Sequence, residues 1–186
     1  MANAAWAGTA APFSINGFEG VNSLTGHHEL QCEIHPFGTL APLRFVVVCS
    51  FYQGRYLLSY HSGHQSWETQ GGHIEKNETP EEAARRELYE ESGVKDAELV
   101  PVCDYYAYDS EGSSNGRVYA ALIRHLGELP PNEMSKIEAF DALPEQLTYP
   151  FVTPVLLAEA KGKITGFDPA ATNGENCSGL SGLGRL

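Results

Sequence analysis

The sequence predicts an α/β protein, and three observations carry that prediction. Its 186 residues, 42% of them hydrophobic, suffice for one sizeable core, so length favours a single domain. Apolar runs of strand length alternate with helical segments along the middle of the chain. One helical segment carries its start and stop signals in its own residues.

The elements follow in chain order. Residues 1–26, rich in Ala, Gly, Asn and Ser without a sustained period, read as a loosely held arm; residues 164–186 read as a similar tail, leaving a domain over 27–163. "HELQCEIHPFG" predicts a half-buried strand, and "LRFVVVCSFY" (43–52), a continuous apolar and β-branched run, predicts a central one. "QGR" turns the chain, Tyr56 to Tyr60 return antiparallel, and "HSGHQ" is a loop leading to a short segment at Trp67. Beyond an acidic helix, "AELVPVCDYYAYD" and "GRVYAALIRHL" predict long strands joined by the hairpin loop "SEGSSNG". "KIEAFDAL" is a shorter strand and turn. "PFVTPVLLAEAKGK" predicts a helix with Pro154 in its first turn and Val155, Leu156 and Ala158 available for packing.

Composition excludes some functions. A net charge of −12 with no run of Lys or Arg argues against adhesion to duplex nucleic acid or to an anionic membrane surface. A polyanionic substrate then needs the help of cations. No apolar run reaches the roughly 20 residues of a membrane span, and "MANAAWAGTAAPFS" lacks the features of a signal peptide, so a cytoplasmic setting is expected. Cys32, Cys49, Cys103 and Cys177 are scattered without paired spacing, which suggests neither a zinc site nor a disulfide framework.

The acidic segment 72–94, "GHIEKNETPEEAARRELYEESGV", holds the chemistry. Thr79 suits the N-cap, Pro80 the first helical position, Glu82 completes a Thr-x-x-Glu capping box, and Gly93 is the stop, which predicts a helix over 80–92. At about 100° per residue, Glu87, Glu90 and Glu91 share an arc with Ala83 and Ala84, while Glu82, Arg85, Tyr89 and Ser92 lie towards the other side. The three glutamates are thereby expected to turn inward. Crowded carboxylates near a partly dehydrated surface call for a hard divalent cation, Mg²⁺ or Mn²⁺, since Arg86 alone cannot balance them.

Gly72, five residues, Glu78, seven residues, then Arg86-Glu87-Leu88-Tyr89-Glu90-Glu91-Ser92-Gly93-Val94 matches the Nudix box, G-x5-E-x7-R-E-U-x-E-E-x-G-U with U aliphatic, at every specified position. On these residues the chain resembles the Nudix hydrolases, more weakly over about residues 40–160. The resemblance implies an α/β/α sandwich around a mixed sheet with a loop-helix-loop catalytic motif, and divalent-cation-dependent hydrolysis of nucleoside diphosphates linked to another group. It implies Glu87, Glu90, Glu91 and the Gly71 carbonyl as metal ligands, Arg86 as the residue orienting the glutamates, and Glu78 as a support or a ligand through water. A base outside the box is expected on a late loop, with Glu133 first, Glu138 beside it and Glu111 weaker. Trp67, Glu78 and Gln70, the last in place of the proline that many relatives carry, are candidates for substrate contact. His61, His64 and His73 lie near the expected mouth of the site.

Within the family, the tract "EAFDALPEQLTYPFVTPVLLAEA" together with the box looks MutT-like, which implies a nucleoside triphosphate, oxidised or not, as a small-molecule substrate giving a monophosphate and pyrophosphate. ADP-ribose or another nucleotide sugar, dinucleoside polyphosphates and capped RNA ends stay open. A silent nucleotide sensor is the alternative of another class; an isomerase of isopentenyl diphosphate type is disfavoured by the intact box. Many relatives are dimers, and a homodimer is an open expectation.

Overall fold

The computed structural model describes residues 30–165. Among them run β1 (Gln31–His35), β2 (Phe45–Tyr52), β3 (Arg55–His61), β4 (Ser66–Glu68), β5 (Gln70–His73), α1 (Pro80–Ser92), β6 (Ala97–Tyr108), β7 (Ser113–Ile123), β8 (Met134–Phe140) and α2 (Thr153–Thr165). The strands form one mixed sheet ordered β1-β6-β7-β2-β3-β4, with β5 paired to β2 and β8 to β3. Only the β2–β7 pairing is parallel among the ladders of these strands.

Alternation along the strands explains the layers. Val46 and Val48 of β2 point to one face, where they meet Leu57, Tyr119, Ala121 and the Ala83, Ala84 and Leu88 side of α1. Cys49 and Phe51 point to the other, where Leu58, Val118 and Ala120 meet Leu156, Leu157 and Ala160 of α2. One helix thus covers each face, giving the expected α/β/α sandwich around a mixed sheet.

Some local expectations are corrected. The hairpin loop is shorter than "SEGSSNG", because Ser113, Ser114 and Asn115 pair with Tyr108, Ala107 and Tyr106. The Asp109 carboxylate closes what is left by accepting the N–H groups of Glu111 and Gly112 at 2.7 and 2.9 Å. On α2 the buried stripe is Thr153, Leu156, Leu157 and Ala160, whereas Val155 and Ala158 are exposed. Ile164 and Thr165 continue that helix instead of opening the tail. The arm, the rest of the tail and Cys177 lie outside the described residues.

The feature that positions the site is a division within β2. Its first half, Phe45–Val48, pairs with β5, and its second half, Ser50–Tyr52, pairs with β3. The chain therefore leaves β3, makes β4, and re-enters beside β2 as Gln70–His73. Two glycines that sequence rules place in a turn, Gly71 and Gly72, are held as a strand by this ladder to Val47 and Val46.

Candidate active site

The helix that carries the glutamates is fixed by local chemistry at both ends. Thr79 Oγ accepts the Glu82 N–H at 3.3 Å and the Thr79 N–H donates back to Glu82 Oε2 at 2.8 Å, a complete capping box. Gly93 ends α1 in the left-handed region at φ 73° with its N–H on the Tyr89 carbonyl. The buried residues Ala83, Ala84, Glu87, Leu88, Glu91 and Ser92 form a stripe at i, i+3 and i+4 spacing. The alanines allow a close approach to the sheet, and that approach brings Glu87 and Glu91 onto β5.

The contact with β5 is tight. The Gly71 N–H donates to Glu91 Oε2 at 2.9 Å. Since the N–H and C=O of one strand residue point to the same edge, the Gly71 carbonyl faces that edge too. A Cβ on Gly72 would lie 2.6 Å from the Glu87 carboxyl carbon, so only glycine leaves room for this carboxylate.

Arg86 organises the rest. Its Nε and Nη2 hold Glu78 in a fork at 2.9 Å each, Nη1 reaches Glu87 at 2.7 Å and Glu90 at 3.2 Å, and Nη2 also reaches the His73 carbonyl at 3.0 Å. All five of its N–H groups are thereby engaged inside the motif. Glu78 accepts the Glu75 N–H as well, and its bonds to Arg86 hold its pKa below the usual carboxylate range.

Two carboxylates are left short of compensation. Burial pushes Glu91 up to about 9, with Glu87, Glu68 and Glu133 adding to it against the pull of the Gly71 N–H. Burial raises Glu87 too, against the opposing Arg86. Glu90 departs from the inward orientation read off the helical projection: half of its side chain is exposed, and it stands on the rim where Arg86 reaches it. Ser92 departs in the other direction, fully buried with its hydroxyl on the Leu88 carbonyl.

The remaining sequence candidates separate by position. Glu133 precedes β8; its carbonyl accepts the Ser62 N–H, and its charge acts on Glu68, Glu91 and His61. Its loop is tied to the helix by Asn132, whose amide donates to the Glu90 carbonyl. Glu138 pairs with Leu58, on the face of the sheet turned away from α1, and stands 3.9 Å from Lys136. Glu111 sits in the hairpin turn between β6 and β7.

Trp67 is not placed for stacking on a base: it is 6% exposed, packed edge to face against Tyr60 and Phe140. Gln70 is fully buried. Its Nε2 donates to Ser59 Oγ at 2.8 Å, and Ser59 donates to the Glu91 carbonyl at 2.7 Å, so it braces the end of α1. The His73 ring packs tilted against Phe45, with ring centres 4.1 Å apart.

Glu68 is the residue that the sequence reading missed. It is buried opposite Ser59 of β3, its charge acts on Glu91, and burial and Glu133 push it up to about 7 against a bond from Thr148. The available signal was alternation in "SWETQ", which sends Glu68 and Gln70 to the side opposite Trp67.

A family model described as the NUDIX domain matches residues 42–159. The chain belongs to the Nudix family. An RNA pyrophosphohydrolase from Bartonella henselae is 41% identical over 59 residues, which cover 31% of this chain and 34% of that relative. The crystal structure of the Bacillus subtilis pyrophosphohydrolase BsRppH is 25% identical with a TM-score of 0.55, over 72% of this chain and 90% of its own. The NUDIX domain of Shewanella oneidensis NrtR, solved with ADP ribose, shares the fold at 22% identity and TM-score 0.54, over 67% of this chain and 90% of its own.

The Nudix glutamates fit a divalent cation on the chemistry of their donors. Glu87, Glu91, the rim carboxylate of Glu90 and the Gly71 carbonyl edge make an all-oxygen set, the kind that hard cations prefer. Burial disfavours the ionised forms of Glu87 and Glu91, and Arg86 is divided among four partners, so a cation held there would supply the missing positive charge.

Proposed function

We propose that this Nudix protein is a divalent-cation-dependent pyrophosphohydrolase of nucleotide-linked diphosphates, acting on a nucleoside triphosphate to give a monophosphate and pyrophosphate. The observation that carries this reading is the pair of buried carboxylates, Glu87 and Glu91, held against Gly72 and Gly71 with Arg86 already spent. The cation in this reading is Mg²⁺ or Mn²⁺, and the setting is cytoplasmic.

A bound cation supplies neutralisation of the diphosphate and a lowered pKa for water. The chain supplies the rest. Glu87, Glu90, Glu91 and the Gly71 carbonyl hold the cation; Arg86 keeps Glu87 and Glu90 in place, and Glu78 keeps Arg86 in place. Glu133, on the loop tied to the Glu90 carbonyl, takes the proton of the attacking water, a role that asks for hydrogen-bond reach in the substrate complex.

The RNA pyrophosphohydrolase relative favours a second substrate reading, a triphosphate at the 5′ end of an RNA. One experiment separates the readings: incubate the protein with Mg²⁺ and nucleoside triphosphates, 5′-triphosphate RNA or ADP-ribose, and resolve the products by chromatography. Glu90→Gln is expected to lose at least about 100-fold in kcat while keeping its fold, because that carboxylate is exposed. Near wild-type turnover in this variant would falsify the assignment, and tight binding without turnover in the unmodified chain would turn it into a sensor.

A further inference from the structure

The turn between β3 and β4 gathers groups that the Nudix glutamates leave unused. His61 ends β3, Glu68 ends β4, and one ligand atom from each of His61, His64 and Glu68 lies within 4.8 Å of the other two. His64 Nδ1 stands 3.9 Å from Glu68 Oε2. Two ligands on one tetrahedral ion with bonds of about 2.1 Å stand about 3.4 Å apart, so a small adjustment closes the set. The turn is well fixed: the Gln65 N–H donates to the His61 carbonyl at 2.8 Å and the Ser62 N–H to the Glu133 carbonyl at 3.0 Å. Glu133 adds its charge to both His61 and Glu68, so the imidazoles face two carboxylates.

We propose that His61, His64 and Glu68 form a second cation site, separate from the glutamates of α1, for a divalent ion that accepts imidazole, such as Zn²⁺, Co²⁺ or Mn²⁺. The donor sets sort the ions: the glutamates offer oxygen alone, which suits Mg²⁺, whereas two nitrogens and one carboxylate suit the borderline metals. Three protein ligands leave coordination positions open to water or to a phosphate oxygen. On the hydrolase reading, an ion here offsets Glu68 and Glu133 and gives the substrate's phosphate chain another anchor.

The hydrogen bonds specify how the site takes its ion. His61 Nδ1 already accepts the N–H groups of Gly63 and His64 at 3.1 Å each, which leaves Nε2 for the metal. Binding there moves the ring proton to Nδ1 and releases those two N–H groups. The rings stack at 3.9 Å and 15°, so their in-plane lone pairs lie in nearly parallel planes and do not yet point at one ion. His64, with 37% of its side chain exposed, is free to turn until they converge.

The test is a titration of Zn²⁺ into the full chain held in excess Mg²⁺, followed by calorimetry and by amide NMR. One equivalent is expected to bind, with the Gly63 and His64 amide resonances moving in step. His64→Ala and Glu68→Gln should each weaken Zn²⁺ at least about tenfold, while Glu90→Gln should not. Absence of Zn²⁺ binding overturns the proposal, and so does binding that survives His64→Ala or disappears with Glu90→Gln. No turnover enters this measurement, so a chain that hydrolysed no nucleotide would sink the hydrolase reading without touching the metal site.

Discussion

At Gly72 a single hydrogen atom keeps the space that the Glu87 carboxylate occupies. Gly72→Ala is therefore expected to displace Glu87 and lower kcat on the order of 100-fold, with the circular dichroism spectrum unchanged; displacement of about 1 Å at a reacting centre costs that much. Glu91 makes a prediction about pH. Its folded pKa is pushed up to about 9 from the ordinary carboxylate value, so between roughly pH 5 and 9 the folded metal-free chain binds more protons than the unfolded one. Stability from this group falls as pH rises through that window, and Glu68, pushed up to about 7, acts in the same sense over its lower part. Metal-free protein should lose Tm from about pH 5 to about pH 8, Glu91→Gln should flatten the slope, and Mg²⁺ should raise Tm more at the higher pH, since it binds the deprotonated carboxylate. Differential scanning fluorimetry across the pH series reads all three, and an equal slope in the variant would remove Glu91 as the cause.

Among the elements, α1 was legible to the residue. Its signals are local: the capping box, Pro80 and Gly93 act within a turn of the helix and need no partner from elsewhere. Thr79→Ala should accordingly cost about 1 kcal/mol in chemical denaturation. The orientation of its faces was less legible, because a helical projection treats the helix in isolation. Contact with β5 and the packing of its last turn decide that Glu90 stays on the rim and Ser92 goes inside. β5 itself was hidden, since two glycines form a strand here only through a ladder to a segment more than twenty residues earlier. β4 has only three residues, so the alternation that sets Glu68 opposite Trp67 shows only when it is followed on into Gln70. The α2 stripe shifted for the same reason: its small, mostly apolar run fits several faces, and the sheet chooses Leu157 and Ala160 over Val155 and Ala158.

At the scale of the molecule, the class was readable from the alternation of strands and helices, whereas the sheet order was not. The parallel contact of β2 with β7 joins segments about seventy residues apart. Charge is a property of this scale as well. With a net charge of −12, the chain should repel a nucleotide unless a cation bridges them. Chelation by EDTA is expected to weaken binding of a non-hydrolysable triphosphate analogue by at least about 100-fold, measured by fluorescence anisotropy. Unchanged affinity would show that side chains alone hold the phosphates. The engagement of every Arg86 N–H inside the motif gives this dependence a sharper meaning. An arginine whose N–H groups are all spent inside the motif has none left to stand in for a missing ion, so on the proposed reading the protein would work as a logical AND of nucleotide and metal, silent when the supply of either one runs out.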